Sequence, residues 1–214
     1  MLHAYDSGRR LTPRWARDRT GETVTLRQLV VYGDARGNEA LAQLMMDRGD
    51  VPRAVEHARR SLAADPQLVM SRFILGVAAQ RAGRYEEALA EFRRAEEQKR
   101  RQRRVVVRNL HANMGDCLAR LGREAEAERE FRAELLAIPH SEEARVGLAL
   151  LYRSQGRDAE ARAALGGLVA AHPRPGPEVY RKVVETFAAL GDAEAARMWA
   201  ARGREAFPGD GLFR

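Results

Sequence analysis

The side chains that could hold a metal or act as nucleophiles are few and widely spaced in this sequence. The five histidines are His3, His57, His111, His140 and His172. No two of them have a metal-binding spacing such as His-x3-His, and the single cysteine, Cys117, has no thiol partner for a zinc site or an intrachain disulfide. We therefore expect Cys117 to be an inert, buried thiol.

The carboxylates and glycines also fail to form a catalytic constellation. Glu86-Glu87 and Glu142-Glu143 fall near predicted helix starts, where negative charge favours the helix dipole. Neighbouring residues on a helix do not face one another, so neither pair can converge on one substrate. Gly166-Gly167 follows no strand and is not a phosphate-binding loop. The sequence therefore predicts a protein that is not an enzyme, with no catalytic residue, no cofactor and no metal.

The composition favours a helical protein with a basic surface. The chain has 214 residues, of which 45% are apolar and only 6% aromatic, and its many alanines favour closely packed helices over a sandwich or barrel. The formal net charge is +7, and nearly all the positive charge is arginine, since Lys99 and Lys182 are the only lysines. Two explanations stay open: the residue usage of a G+C-rich genome, or a surface that binds an anionic partner.

The N-terminus and the hydropathy pattern give expectations about location. Met1–Asp6 has no apolar segment of the signal-peptide kind. No run of about 18 apolar residues could form a membrane-spanning helix. We therefore expect a soluble cytoplasmic protein, bacterial by its residue usage, with no membrane partner.

Five glycines recur at nearly constant spacing, each after a stretch with helical apolar periodicity. They are Gly49, Gly83, Gly122, Gly156 and Gly191, at spacings of 34, 39, 34 and 35 residues. Each is followed five residues later by an alanine: Ala54, Ala88, Ala127, Ala161 and Ala196. A period near 34 residues with this pairing predicts an array of helix-turn-helix units.

When each unit is numbered with its glycine at position 15, the recurring residues acquire structural roles. Position 8 is small (Gly76, Gly115) because two helices should cross there, and position 24 is large (Phe92, Phe131) because it fills the gap beyond. Glycine at position 15 can take the left-handed conformation that ends the first helix. Proline at position 32 ends the second helix in every unit but the second, which has Arg100. We expect these signature residues to be core.

This pattern resembles the tetratricopeptide repeat family over about residues 35–210. The repeats fall at 35–68, 69–102, 108–141, 142–175 and 177–210, with 1–34 as an N-terminal extension and 211–214 as a tail. The resemblance implies an all-α fold, an α-α superhelix in the form of a right-handed solenoid of five helix-turn-helix repeats. It also implies a scaffold or adaptor that binds a partner protein in the concave groove of the array.

Both ends depart from the repeat. Residues 23–32 are β-branched and apolar, which predicts a strand within a non-helical or β-hairpin extension. This extension either packs on the first repeat or belongs to a neighbouring domain. At the other end, Arg197 and Arg204 replace apolar residues, as expected of an end cap. Trp199 either packs over that end or marks a self-association surface, so a homodimer through the C-terminal helix is one expectation.

The family resemblance places the binding groove on the first helix of each repeat, chiefly at positions 2, 5, 9, 12 and 13. The residues predicted to line it are Gln43, Met46, Met70, Phe73, Val77, Arg81, Asp116, Arg120, Val146, Leu150, Arg153 and Arg181. Apolar side chains with an arginine rim predict a peptide partner that is apolar with some acidic residues. Some family members hold a partner's C-terminal carboxylate with lysine and asparagine. Glu39 and Gln43 stand at those positions here, so that mode is not expected.

A basic run interrupts the array between repeats 2 and 3, where residues 103–107 are inserted. The predicted basic patch comprises Arg94, Arg100, Arg101, Arg103, Arg104 and Arg108. Either it is the solvated face of a lengthened helix pair, or it docks an acidic partner or a nucleic-acid backbone. Nucleic acid is not favoured, because the stretch has no aromatic residue to stack on bases.

Besides a protein-binding scaffold and a nucleic-acid-binding module, a third alternative function is that the chain serves as the regulatory tail of a larger enzyme.

Overall fold

The computed structural model describes residues 26–102 and 105–211, with side chains described from residue 34 onward. Within these ranges the chain forms ten α-helices and no strand. The helices are α1 (Leu26–Asp47), α2 (Val51–Ala64), α3 (Val69–Arg81), α4 (Tyr85–Arg101), α5 (Leu110–Arg120), α6 (Glu124–Ala137), α7 (Glu142–Ser154), α8 (Asp158–Ala171), α9 (Pro177–Ala189) and α10 (Ala193–Ala206). The prediction of an all-α fold is confirmed.

The chain divides into two compact units, residues 1–74 and 75–214. In the first unit α1 packs against α2 through small side chains. Four fully buried alanines belong to these two helices: Ala35, Ala42, Ala54 and Ala58. A buried hydrogen bond of 2.9 Å between the hydroxyl oxygens of Ser71 and Ser61 ties the start of α3 to the end of α2. Small residues let the helix axes approach closely, so this core is thin in volume but tightly packed.

In the second unit successive helices pack as hairpins. α5 pairs with α6, α7 with α8 and α9 with α10, and α4–α5, α6–α7 and α8–α9 contacts join one hairpin to the next. A Cβ atom placed on Gly76 would lie 2.5 Å from Cε1 of Phe92, and one on Gly115 would lie 2.7 Å from Cε1 of Phe131. Each ring thus fills the space that a glycine leaves free, and the predicted pairing of a small with a large residue is confirmed.

A glycine with positive φ forms the turn in each of the five hairpins. The φ angles of the five glycines at position 15 lie between 72° and 78°. At Gly122 the glycine N–H donates to the Ala119 carbonyl at 3.0 Å, and the Arg123 N–H donates to the Leu118 carbonyl at 2.8 Å. This pair of bonds is the Schellman motif, and it recurs at the other four glycines. The predicted left-handed helix end is confirmed.

Proline sets the length of the second helices. α2, α6, α8 and α10 each have 14 residues. Each ends two residues before a proline: Pro66, Pro139, Pro173 and Pro208. α4, where Arg100 replaces the proline, continues to Arg101 and has 17 residues. Because proline lacks an N–H and disfavours helix in the residue before it, its absence allows this extra turn.

Glu134 of α6 holds the start of α5 after the inserted segment. Asn109 precedes α5 in a left-handed conformation with a φ of 62°. The buried Glu134 carboxylate accepts the N–H of Asn109 at 2.9 Å and the N–H of His111 at 3.1 Å. Amides at a helix N-terminus have no intrahelical acceptor. A side chain distant in sequence therefore caps α5, since Asn109 makes no side-chain cap of its own.

The strand predicted for residues 23–32 is wrong from Leu26 onward, because α1 begins there. Residues 1–25, on which the rest of the predicted extension falls, lie outside the described part of the chain, as do the tail residues 212–214. The strand was inferred from β-branched residues, whose preference is a weak bias of about 1 kcal/mol at most. Extending an existing helix by further turns avoids the cost of a new nucleus, so propagation from α1 prevails over that bias.

Trp199 of α10 packs inside the second unit. Its side chain is 8% exposed, and its ring centroid lies 6.1 Å from that of Tyr180 on α9. Of the two predicted roles, packing is the one observed. The neighbouring Met198 is exposed, and the homodimer through this helix stays a prediction.

Candidate peptide-binding surface

The first helices of successive repeats lie side by side in the second unit. The side-chain amide of Gln80 on α3 donates to Asp116 on α5, with 2.7 Å between Nε2 and Oδ2. α5 packs against α7, and an ion pair of 2.7 Å between Lys182 Nζ and Glu142 Oε1 joins α9 to α7. Equivalent positions of these helices therefore share one surface, named here the A face. Its predicted binding residues are Val77, Arg81, Asp116, Arg120, Val146, Leu150, Arg153 and Arg181.

Leu150 is the large apolar side chain that the A face presents to solvent. It is 52% exposed in the middle of α7, whereas its neighbours Leu148 and Leu151 are buried. Val77 and Val146 are half-buried. Burying a leucine side chain fully is worth about 1.5–3 kcal/mol. A partner that covers Leu150 would therefore gain part of that stabilisation.

Four exposed arginines accompany Leu150 on the A face: Arg81, Arg120, Arg153 and Arg181. Three have a carboxylate nearby: Arg120 Nε lies 3.6 Å from Asp116 Oδ1, Arg153 Nη1 lies 2.6 Å from Asp158 Oδ1, and Arg181 Nη1 lies 2.9 Å from Glu185 Oε1. Within the described residues Arg81 forms no ion pair. Exposed pairs contribute about 0–1 kcal/mol, so a partner's carboxylate can compete for these guanidinium groups at little cost.

In the first unit, the predicted groove residues are covered to different degrees. Gln43 is half-buried and donates to Asp47 Oδ1 at 2.8 Å. Met70 and Phe73 are half-buried. Met46 is only 8% exposed and so belongs to the core of the unit. A flexible methionine can fill an irregular gap between small residues, which a position number alone does not reveal.

Half of the predicted basic patch is neutralised on its own helix. Its three arginines on α4 each pair with a glutamate one turn earlier: Arg94 with Glu91 at 2.6 Å, Arg100 with Glu96 at 2.6 Å and Arg101 with Glu97 at 2.8 Å. Arg108 is exposed, and Arg103 and Arg104 lie outside the described residues. α4 carries five glutamates and five cationic side chains, so its formal charge is zero. The glutamates of α4, with Glu91 among them, therefore offset the positive charge of its arginines.

A polar cluster around Glu128 joins α6 to α7 and to the start of α8. The Glu128 carboxylate accepts from the Tyr152 hydroxyl at 3.0 Å, from Arg157 at 3.1 Å and from Arg132 at 2.7 Å. The Arg157 guanidinium also lies 4.2 Å from the centroid of the Tyr152 ring. Burial disfavours ionisation, but the bonds from Arg157 and Tyr152 outweigh it and hold the pKa of Glu128 below its ordinary value. This carboxylate therefore serves packing between repeats.

Among the described residues, the sequence candidates for nucleophilic or metal chemistry do not converge on one site, although the rings of His140 and His172 meet edge to face with their centroids 5.8 Å apart. Cys117 is fully buried in α5, and burial raises the pKa of its thiol to about 12. Among the residues that the structure describes, no three His, Cys, Asp or Glu side chains are grouped so as to hold a metal ion. None of the described helices has both the length and the apolar character needed to cross a membrane.

Solved structures of other proteins share this fold. TTC0263, a thermophilic TPR protein of Thermus thermophilus, has a TM-score of 0.61 and 18% identity, covering 84% of this chain and 95% of that one. PilF of Pseudomonas aeruginosa has a TM-score of 0.58 and 18% identity, covering 84% and 79%. YrrB, described as a TPR protein with an unusual peptide-binding site, has a TM-score of 0.50 and 17% identity, covering 80% and 86%. The fold is that of the tetratricopeptide repeat proteins.

A family model matches most of the sequence. No curated protein matches the chain. The matching family is the N-terminal domain of EccA1, a protein of the ESX-1 secretion system (T7SS), and the match covers residues 21–184. Since this span includes the first four predicted repeats and the A face as far as α9, the chain belongs to the family of EccA1 N-terminal domains.

Proposed function

We propose that this chain binds a segment of a partner protein on the A face, and that the partner is a protein of a type VII secretion system. The exposure of Leu150 among the A-face arginines carries the first part of the proposal. The family match supports the second part, since the matching domain comes from a secretion-system protein.

The chemistry of the A face favours a partner segment that is apolar with acidic flanks. Leu150 offers apolar area that its own fold leaves in water. Arg81 and Arg120 stand on the helices to one side and Arg181 on the helix to the other. A carboxylate on either side of an apolar anchor would therefore meet a guanidinium, which is a strong, planar hydrogen-bond donor.

The arginine run on α4 supports no second candidate. Arg94, Arg100 and Arg101 are paired within the helix, and phosphate binding would have to break those pairs. A strong nucleic-acid interaction needs several unpaired cationic groups that release counterions together.

Leu150→Asp tests the proposal, with Leu136→Asp as its matched control. Leu136 is 87% exposed on α6, so the same substitution there alters charge and surface without touching the A face. Each purified variant is used to recover partners from cells of the source organism, with identification by mass spectrometry. We expect type VII secretion proteins with the wild type and Leu136→Asp, and their loss with Leu150→Asp.

Three results would contradict the proposal. Equal recovery by both variants would show that the A face is not the contact. Equal loss of partner recovery with both variants would show that surface charge alone determines binding. Recovery of partners unrelated to secretion, sensitive to Leu150→Asp, would retain the A face and refute the assignment of the partner. Circular dichroism of each variant establishes that the helices are intact.

A further inference from the structure

A cavity of about 450 Å³, open to solvent, lies where α8, α9 and α10 meet. Tyr180, Trp199 and Arg202 line it, with Gly166 and Ala170 on the α8 side. None of the predicted A-face residues lines it, so the proposed function does not use it. Cavities of roughly 300–1,000 Å³ hold ligand-sized groups, so this one has room for a large side chain of another molecule.

The aromatic walls of this cavity are already held in place. A Cβ atom on Gly166 would lie 3.0 Å from Cζ2 of Trp199, so the indole rests directly on the α8 backbone. The Tyr180 ring centroid lies 6.1 Å from that of Trp199 and 5.7 Å from that of Phe207, in tilted and edge-on arrangements. Such arrangements of aromatic rings are favourable. The cavity is therefore preformed, and a ligand need not open it.

Arg202 adds a cationic group at the rim. Its guanidinium carbon lies 4.8 Å from the centroid of the Trp199 ring. Among the described residues Arg202 forms no ion pair, although Glu205 also lines the cavity. By contrast, Arg162 on α8 reaches Asp192 at 2.6 Å and Glu194 at 3.2 Å. Arg202 is thus oriented by the indole and open to an incoming anion.

We propose that this cavity is a second docking site, which takes a large aliphatic side chain of a partner protein together with a carboxylate next to it in the same segment. The apolar walls select the aliphatic group, and Arg202 selects the carboxylate by charge. Trp, Tyr and Arg are the residues most enriched where single side chains dominate protein association, and the cavity brings one of each together. A partner held here and on the A face would contact the chain at two separate places.

Fluorescence of Trp199 provides the test. The chain has two tryptophans, and Trp15→Phe leaves Trp199 as the reporter. The probe is the peptide acetyl-Ala-Asp-Leu-Leu-Asp-Ala-amide. Matched peptides carry lysines in place of the aspartates, or serines in place of the leucines. We expect a saturable change in emission with the probe, and binding weaker by about tenfold or more for both matched peptides.

Variants of the 214-residue chain locate the site. Arg202→Glu reverses the charge at the rim, and Ala170→Leu fills the cavity from an exposed position. Each substitution should weaken binding of the probe peptide by about tenfold or more. Arg197 is exposed on α10 and does not line the cavity. Arg197→Glu should therefore change the affinity for the probe peptide by less than about twofold. Leu150→Asp on the A face should leave it unchanged, which separates this site from the proposed function.

Four outcomes would overturn the proposal. One is no response to the probe up to millimolar concentration by a protein that circular dichroism shows to be folded. A second is an equal response to the three peptides. A third is equal weakening by Arg197→Glu and Arg202→Glu. The fourth is a Trp199 emission that changes with protein concentration alone and coincides with a dimer in analytical ultracentrifugation. That result would assign the cavity to a second copy of the chain.

Discussion

The ring of Phe131 on α6 lies so close to Gly115 of α5 that a Cβ atom there would be 2.7 Å from Cε1 of the ring. A Cβ atom on Gly147 of α7 would meet the same ring from the next hairpin. Phe131 is 2% exposed. One phenylalanine therefore packs between two glycines of consecutive repeats, and the stacking of those repeats depends on the missing side chains.

Gly115→Ala should destabilise the fold, because the added methyl group has no space against Phe131. Overpacking of this kind costs about 1–3 kcal/mol. The matched control is Gly37→Ala in α1, where an added Cβ meets nothing within 4 Å. There the better helix propensity of alanine should stabilise by up to about 1 kcal/mol. Urea denaturation measures both changes in the free energy of unfolding, and effects of the same sign would contradict this prediction.

Glu128→Ala should destabilise the junction between the third and fourth repeats. It leaves the Tyr152 hydroxyl without its acceptor and removes one acceptor of Arg157, which keeps its pair with Glu160, at a cost of about 1–3 kcal/mol. Folding lowers the pKa of Glu128, so its contribution is full above the ordinary carboxyl range and is lost as the pH falls through the lowered folded pKa. The difference in Tm between wild type and variant should therefore be largest near neutral pH and shrink on acidification.

The control for this prediction is Glu126→Ala on the same helix. Glu126 pairs with Arg123 one turn away at the exposed start of α6. An exposed pair within one helix contributes little, so its loss should hardly change Tm. A drop in Tm as large as that of Glu128→Ala would mean that the loss of stability arises within helix α6 and not in the cluster between repeats.

His111 should make stability depend on pH in the opposite sense. A 2.8 Å hydrogen bond with Glu130 raises its pKa against the opposing effect of burial, Glu96 adds to the rise, and Lys99 counters it. The stabilisation is present below the ordinary histidine range and is lost as the pH rises through the raised folded pKa. The Tm advantage of wild type over His111→Gln should thus decline from roughly pH 5 to pH 8.

The variant Glu130→Gln checks the pair from its other side. It removes the carboxylate that is hydrogen-bonded to His111, so its dependence of Tm on pH should resemble that of His111→Gln. If His111→Gln ran parallel to the wild type, the pair with Glu130 would contribute nothing.

The α4 arginines should not produce a nucleic-acid site. Because Arg94, Arg100 and Arg101 are paired with glutamates of their own helix and α4 carries no net formal charge, binding to duplex or single-stranded DNA should be weak at low salt. The double variant Arg100→Ala with Arg101→Ala should leave it unchanged. Tight binding whose logarithm falls steeply with the logarithm of salt concentration, and which this variant weakens, would reverse the assignment.

Local signals in the sequence were sufficient to predict the hairpins, but not every helix. A glycine with positive φ and a proline without an N–H act on their own turn, so the ends at Gly122 and before Pro139 followed from residue type alone. The neutral charge of α4 was also readable, because Glu91 stands three residues before Arg94. The start of α1 at Leu26 was missed, since β-branched residues bias a segment only weakly.

The sequence by itself determined the repeat, its turns and the pairing of small with large residues, because each depends on the conformation or volume of residues at fixed spacing. Tertiary structure decided which apolar side chains remain exposed to solvent. Leu150 remains half-exposed while Trp199 is buried, and Glu134 caps a helix that begins 24 residues before it. These outcomes depend on contacts between residues far apart in the chain, and a periodic pattern carries no information about which neighbour covers which side chain.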